Sequence, residues 1–163
     1  MNRSTIIWLL VALAVFGVGT LSSRLAQKPP APSWQRPVCE LTKERQRFHT
    51  QLRELARDAE RARGSTGRWP AVAPLFPDKW ELRQQGHYLN YVGEHDGLRW
   101  LILFIEPDAR SAPENVPEDN EHHRLSDGTA IHVTVWTQPT SEPATERVTA
   151  FPAAEGWVER VSR

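Results

Sequence analysis

The sequence predicts an α+β protein in which one long amphipathic helix packs on a small antiparallel sheet of three to five strands. Apolar residues recur at helical spacing over residues 40–63, and from Tyr88 onward their period shortens toward two. An uncharged run at the start predicts a transmembrane helix, and a proline-rich linker follows it. The expected domains are 1–23, a transmembrane helix or signal anchor, 24–37, the linker, and 38–163, the globular domain.

The uncharged run covers residues 4–23, which as a helix would just cross a hydrocarbon core of about 30 Å. A cleaved signal peptide is the alternative, because Arg3 supplies a basic start and residues 20–22 a small-x-small site. The short tail before the span favours export of the rest of the chain. We therefore expect a single-pass inner membrane protein that contacts the bilayer through residues 4–23, with its domain in the periplasm.

The linker is rich in proline, with four prolines among the eleven residues 27–37. Proline lacks the N–H that helices and sheets need, so this segment is expected to be an extended, semi-rigid spacer.

The helix follows over 38–63, and Gly64, Gly67 and Pro70 are expected to end it. Its apolar stripe consists of Leu41, Phe48, Leu52, Leu55, Ala59 and Ala62.

That stripe has two interpretations, a coiled-coil or docking face for a partner, and a cover for the protein's own sheet. The second is favoured, because small alanines occupy positions that a zipper would give to larger residues.

The sheet is predicted over 80–163. Its expected strands are Tyr88–Val92, Leu98–Ile105, Thr129–Thr137 and one last strand or hairpin near the end, with a long acidic loop over 106–127.

Composition excludes several functions. Twenty basic residues balance twenty acidic ones, so no overall positive field favours binding of nucleic acid. The single cysteine, Cys39, has no second thiol for an internal disulfide or a thiolate metal cluster. We find no nucleophile elbow, phosphate loop or paired-histidine helix motif, so no catalytic residues are predicted and the protein is expected not to be an enzyme.

The residues that most suggest chemistry lie in the acidic loop and at the start of the strand after it. A metal site there would draw on Glu118, Glu121, His122, His123 and, from the preceding turn, His95. Neighbouring side chains on an extended segment face opposite ways, so His122 and His123 are not expected to share one ion. The alternative is a solvated acidic loop without a cofactor. His132 is expected to face outward with no role.

Two tryptophans are candidates for contacts with a partner. Trp136 lies on the strand face opposite Ile131, Val133 and Val135, among polar neighbours, and is expected to be exposed. Trp69 belongs to the turn after the helix.

Gly67, Arg68, Trp69 and Pro70 form a turn that, together with the order of the elements, resembles the type IV pilins and the type II secretion pseudopilins. The resemblance implies a pilin-like fold; the start of the chain lacks the Gly-Phe processing junction of those families, so it does not extend to filament assembly. Residues 80–91 and 154–158 give a second resemblance, to uncharacterised single-span envelope proteins that accompany zinc or manganese uptake systems.

These observations predict a non-enzymatic, membrane-anchored accessory or assembly module that contacts a protein partner in the cell envelope. A periplasmic metal-handling protein, with zinc as its cofactor, is the alternative. An enzyme of unknown type is a third.

Overall fold

The computed structural model describes residues 31–72, 80–107, 121–144 and 146–162. From Ser33 onward they belong to one compact unit, Ser33–Arg163. These residues form one α-helix, α1 (Lys43–Thr66), and two short 3₁₀ helices, Val38–Glu40 and Pro152–Glu155. The strands are β1 (Gln35–Pro37), β2 (Glu81–Gln85), β3 (Tyr88–His95), β4 (Leu98–Ile105), β5 (His122–Arg124), β6 (Ala130–Pro139) and β7 (Val158–Val161).

The strands form one mixed sheet in the order β1-β7-β6-β4-β3-β2, with β5 also paired to β6. Neighbours are antiparallel except β1 and β7, which run parallel. β5 and β7 pair with β6 over different parts of its length, β5 with residues 130–132 and β7 with residues 136 and 137. Both strands lie on the side of β6 away from β4, so a short stretch of β6 separates them.

The predicted fold class is wrong. The sequence predicted a pilin-like fold with a transmembrane helix and an antiparallel sheet of three to five strands, whereas the described residues form one helix and a seven-stranded mixed sheet. Three strands have no apolar alternation that would reveal them. β1 lies in the predicted linker and β2 is largely exposed, while β5 is only three residues long.

Among the described residues, no helix is long and apolar enough to cross a membrane. The predicted transmembrane helix, residues 4–23, lies outside the described residues. The predicted localisation, a single-pass inner membrane protein with a periplasmic domain, is corrected accordingly, because the structure gives it no support.

The helix begins and ends with side-chain and backbone caps. The Thr42 hydroxyl accepts a hydrogen bond from the Arg45 N–H, and Gly67 closes the helix in the left-handed region at φ 73°. Gly64 does not end the helix as predicted. Of these two glycines only Gly67, which follows the last turn, adopts the left-handed conformation. α1 therefore extends three residues beyond the predicted end.

The helix covers one face of the sheet, so the second interpretation of its stripe is confirmed. Phe48, Leu52 and Ala59 of α1, and Leu41 just before it, are buried in the main core. That core also takes the sheet residues Leu89, Tyr91, Trp100, Ile102, Phe104, Ile131, Val133 and Val135. The opposite face carries a smaller cluster of Val92, Leu101, Leu103, Trp136 and Trp157. The candidate site lies on that second face.

Candidate metal centre

Two histidines meet on the sheet face opposite the helix. His122 of β5 is the direct cross-strand partner of His132 of β6. Because alternate residues of a strand face the same side, His132 shares its face with Thr134 and Trp136. The two imidazole rings stack with centroids 4.2 Å apart and planes 4° apart. The strand register, and not a chance rotamer, therefore brings the two rings together.

Glu121 adds a carboxylate to this pair. It lies immediately before β5, and its carbonyl oxygen accepts a hydrogen bond from the Val133 N–H at 2.8 Å, which ties it to β6. One ligand atom from each of Glu121, His122 and His132 lies within 4.8 Å of the others, and all three side chains are half-buried. The cluster thus brings two nitrogen donors and one oxygen donor close together.

The spacing of these donors suits a small divalent ion after modest closure. Bonds of about 2.0–2.2 Å in a tetrahedral arrangement place ligand atoms roughly 3.4 Å apart. The atoms of the cluster must therefore approach by about 1.4 Å at most. Since the lone pairs of parallel rings are themselves parallel, the rings must also tilt toward each other. Side-chain rotations allow both changes without moving the strands.

A short turn between β5 and β6 sets the register of the two histidines. The Leu125 N–H donates to the Thr129 carbonyl at 2.9 Å, and Gly128 adopts φ 84°. The Asp127 carboxylate accepts the Thr129 N–H at 2.9 Å, and this hydrogen bond holds the pKa of Asp127 below its usual value. Arg63 of α1 bridges Asp127 and Glu106, so the turn is also fixed to the helix.

The cluster opens into a groove of about 480 Å³. Its polar lining includes Gln35, Glu159 and Thr134, and a hydrogen bond of 2.8 Å joins the Gln35 amide to the Glu159 carboxylate. The apolar and aromatic lining comprises Trp34, Tyr88, Leu103, Ile105, Trp136, Ala150, Phe151, Pro152 and Ala153. The volume lies within the range of about 300–1,000 Å³ that small-molecule sites occupy.

The predicted metal ligands separate into three groups. Glu121 and His122 belong to the cluster, and Glu118 lies outside the described residues. His123 faces the other side of the sheet, as the alternation predicted, and its Nε2 lies 2.9 Å from Glu60 of α1. His123 therefore joins strand to helix and does not reach the cluster.

His95 is far from the cluster. It pairs with Leu98 at one end of β4, whereas His132 pairs with Ile105 at the other end, seven residues and about 23 Å along the strand. The His95 ring instead stacks on Phe48, with centroids 3.8 Å apart. The structure therefore does not bring His95 to the cluster.

His132 was expected to be without a role, and the structure places it at the centre of the cluster. The sequence prediction placed His132 on the correct face of its strand. It took that face to be exposed to solvent, because β5 could not be predicted. The sequence contains one signal for the pairing of His122 with His132. These histidines lie on either side of the turn signal Asp127-Gly128, and a hairpin with its turn there pairs them.

The two predicted interaction residues are largely packed within the protein. Trp136 is 6% exposed and donates its indole N–H to the Thr134 hydroxyl at 2.8 Å, so its expected exposure is wrong. Trp69 packs on Phe104 and donates to the Glu106 carboxylate at 2.9 Å. Trp136 nevertheless lines the groove.

Comparison with known proteins finds no match: no family model, no curated protein and no solved structure is significantly similar to this chain. The resemblances to pilins and to envelope proteins of metal uptake stay predictions.

Proposed function

We propose that this protein binds a divalent transition metal ion, with zinc as the first candidate, through Glu121, His122 and His132. It acts as a non-enzymatic metal-handling module. The observation that supports the proposal is the convergence of the three ligand atoms to within 4.8 Å of one another from two paired strands.

The donor types select the class of metal. Calcium and magnesium prefer sites built wholly from oxygen, whereas neutral imidazole suits zinc, copper, nickel and iron. Two imidazoles with one carboxylate form a ligand set that zinc accepts readily. A set without thiolate also fits a chain whose single cysteine, Cys39, is exposed and belongs to the 3₁₀ helix before α1.

The exposure of the ligands supports handling of the metal over a purely structural role. Structural zinc sites have four protein ligands, while these three side chains are half-buried and border an open groove. An ion held in this way can enter and leave without unfolding of the sheet. A metal-handling module is also compatible with the predicted accessory role, since neither needs catalysis.

The first test is zinc affinity, measured on tag-free protein by competition with a chromophoric chelator. We expect one zinc per chain, and an affinity at least about 100-fold weaker in His122→Ala and in His132→Ala. His87→Ala is the matched control, because His87 is exposed and outside the cluster. Equal affinities in all four proteins would refute the proposal.

A further inference from the structure

The two most exposed large hydrophobic side chains of the described residues lie on the same groove as the metal ligands. Trp34 is 44% exposed and Phe151 is 71% exposed. The other large hydrophobic side chains of the described residues are buried or half-buried. Both line the groove that His122, His132 and Glu121 border. Exposed aromatic groups beside convergent polar groups are the usual composition of a ligand site.

The aromatic residues surround the groove from several elements. Tyr88 of β3 and Phe151 approach each other with ring centroids 6.4 Å apart. Trp136 forms part of the groove lining from β6, and Trp34 stands just before β1, where its carbonyl accepts the Glu159 N–H at 2.8 Å. That hydrogen bond ties the backbone of Trp34 to β7, and Trp34 lines the groove. Flat aromatic surfaces on several sides favour a planar occupant.

The metal supplies the polar end of the site. The three side chains provide three ligands, and a four-coordinate zinc takes a fourth donor. A groove of about 480 Å³ is far larger than one water molecule needs, so a small organic molecule can bring that donor.

Charge selects the kind of donor. Two glutamates, Glu121 and Glu159, line the groove, and no lysine or arginine of the described residues does so. An anionic ligand would therefore gain little net electrostatic attraction in the groove. A neutral donor does not depend on that attraction. Imidazole-type nitrogen also suits the same metals as the histidines.

We propose that the groove binds a planar, neutral nitrogen heterocycle of the imidazole type, which stacks among Trp34, Tyr88 and Phe151 and donates its nitrogen to the metal at Glu121, His122 and His132. The inference rests on the proposed metal binding. It adds a ligand class to that function.

The test uses the full chain loaded with cobalt(II), whose visible bands respond to a change of ligand. Imidazole, benzimidazole and benzoate are titrated separately. Benzimidazole should shift the bands and bind about tenfold more tightly than imidazole, because its second ring is buried against the aromatic wall. Benzoate, which is equally flat but anionic, should bind more weakly than benzimidazole.

Variants in the wall show where the second ring binds. In Phe151→Ala and in Trp34→Ala, benzimidazole affinity should fall by a larger factor than imidazole affinity, and the affinity for cobalt should be unchanged. Phe151 is 71% exposed, so its replacement tests the groove without loss of folding. Equal binding of imidazole and benzimidazole, tighter binding of benzoate, or no effect of both variants would each overturn this inference alone. Absence of bound cobalt would overturn the proposed function as well.

Discussion

His122 and His132 are direct partners across the β5–β6 pair, and their rings stack with centroids 4.2 Å apart. Partners in an antiparallel pair have Cβ atoms only about 5 Å apart. The register therefore keeps the two imidazoles close enough to share one ion without movement of the strands. The metal proposal thus rests on the backbone register and not only on side-chain positions.

Zinc should stabilise the folded protein. β5 is only three residues long, and an ion that bridges His122 and His132 would fix it to β6. At a free zinc concentration about 100 times the dissociation constant, the free energy of unfolding should rise by about 2.7 kcal/mol. Denaturant unfolding with zinc and with chelator measures this difference. The same stabilisation in His132→Ala would show that zinc acts elsewhere.

The pair of Glu60 and His123 should couple the helix to β5. Glu60 is 8% exposed, and its carboxylate lies 2.9 Å from His123 Nε2. Removal of His123 leaves the buried Glu60 carboxylate without this partner, so His123→Ala should lower the free energy of unfolding by about 1–3 kcal/mol. A double-mutant cycle with Glu60→Ala should give a coupling energy of about 1–2 kcal/mol. Strict additivity of the two substitutions would contradict this role.

Stability should decrease in acid because of His49. Burial, with smaller contributions from the positive charges of Arg53 and Arg160, lowers the pKa of His49 from 6.5 to about 4, although a hydrogen bond to the Arg160 backbone opposes the shift. His49 therefore stays neutral in the folded protein while the unfolded chain binds a proton below about pH 6.5. This contribution is fully present above that pH and is lost as the pH falls toward 4.

The loss should reach about 3 kcal/mol near pH 4, because each unit of pKa shift corresponds to about 1.4 kcal/mol. Urea unfolding across this pH range, in the presence of chelator, measures it. His49→Gln should show a shallower dependence, since it has no imidazole to titrate. An unchanged pH profile in that variant would assign the acid sensitivity to other groups.

Gly93 should not tolerate a side chain. A Cβ at this position would overlap the indole ring of Trp80, which is 6% exposed and packs in the main core. Because the ring cannot move without disturbing that core, Gly93→Ala should cost about 1–3 kcal/mol of unfolding free energy.

Gly64→Ala is the matched control for that substitution. Its Cβ would overlap only the Ser126 hydroxyl, which can rotate away, while the backbone N and Cβ of Ser126 would lie 3.4 and 3.6 Å from it. Alanine also favours the helix by about 1 kcal/mol over glycine. We expect a change near zero. A loss in Gly64→Ala as large as that in Gly93→Ala would show that the contact with Trp80 is not the cause.

The sequence predicted the elements with strong periodicity and missed those without it. Leu98–Ile105 is strand β4 with the predicted bounds, because a run that is apolar except for Arg99 lies between two turn signals. β1 and β2 carry mainly polar side chains and owe their pairing to neighbouring strands, which no local pattern reveals.

The candidate site was predicted only in part, because it also depends on a strand that no local pattern reveals. Glu121 and His122 were expected as ligands, but the strand that orients them, β5, has three residues and depends on β6 for its structure. Without β5 the partner of His132 could not be known. Long-range pairing decides the composition of this site, and the spacing of residues along the chain does not.

X-ray absorption at the zinc edge tests the metal proposal most directly. Zinc-loaded protein should show two imidazole ligands and oxygen or nitrogen donors at about 2.0–2.2 Å, without sulfur. His132→Ala should lose one imidazole from the spectrum, while His87→Ala should leave it unchanged. A spectrum with no imidazole contribution, or one that is the same in His132→Ala, would contradict the assignment of Glu121, His122 and His132 as the metal site.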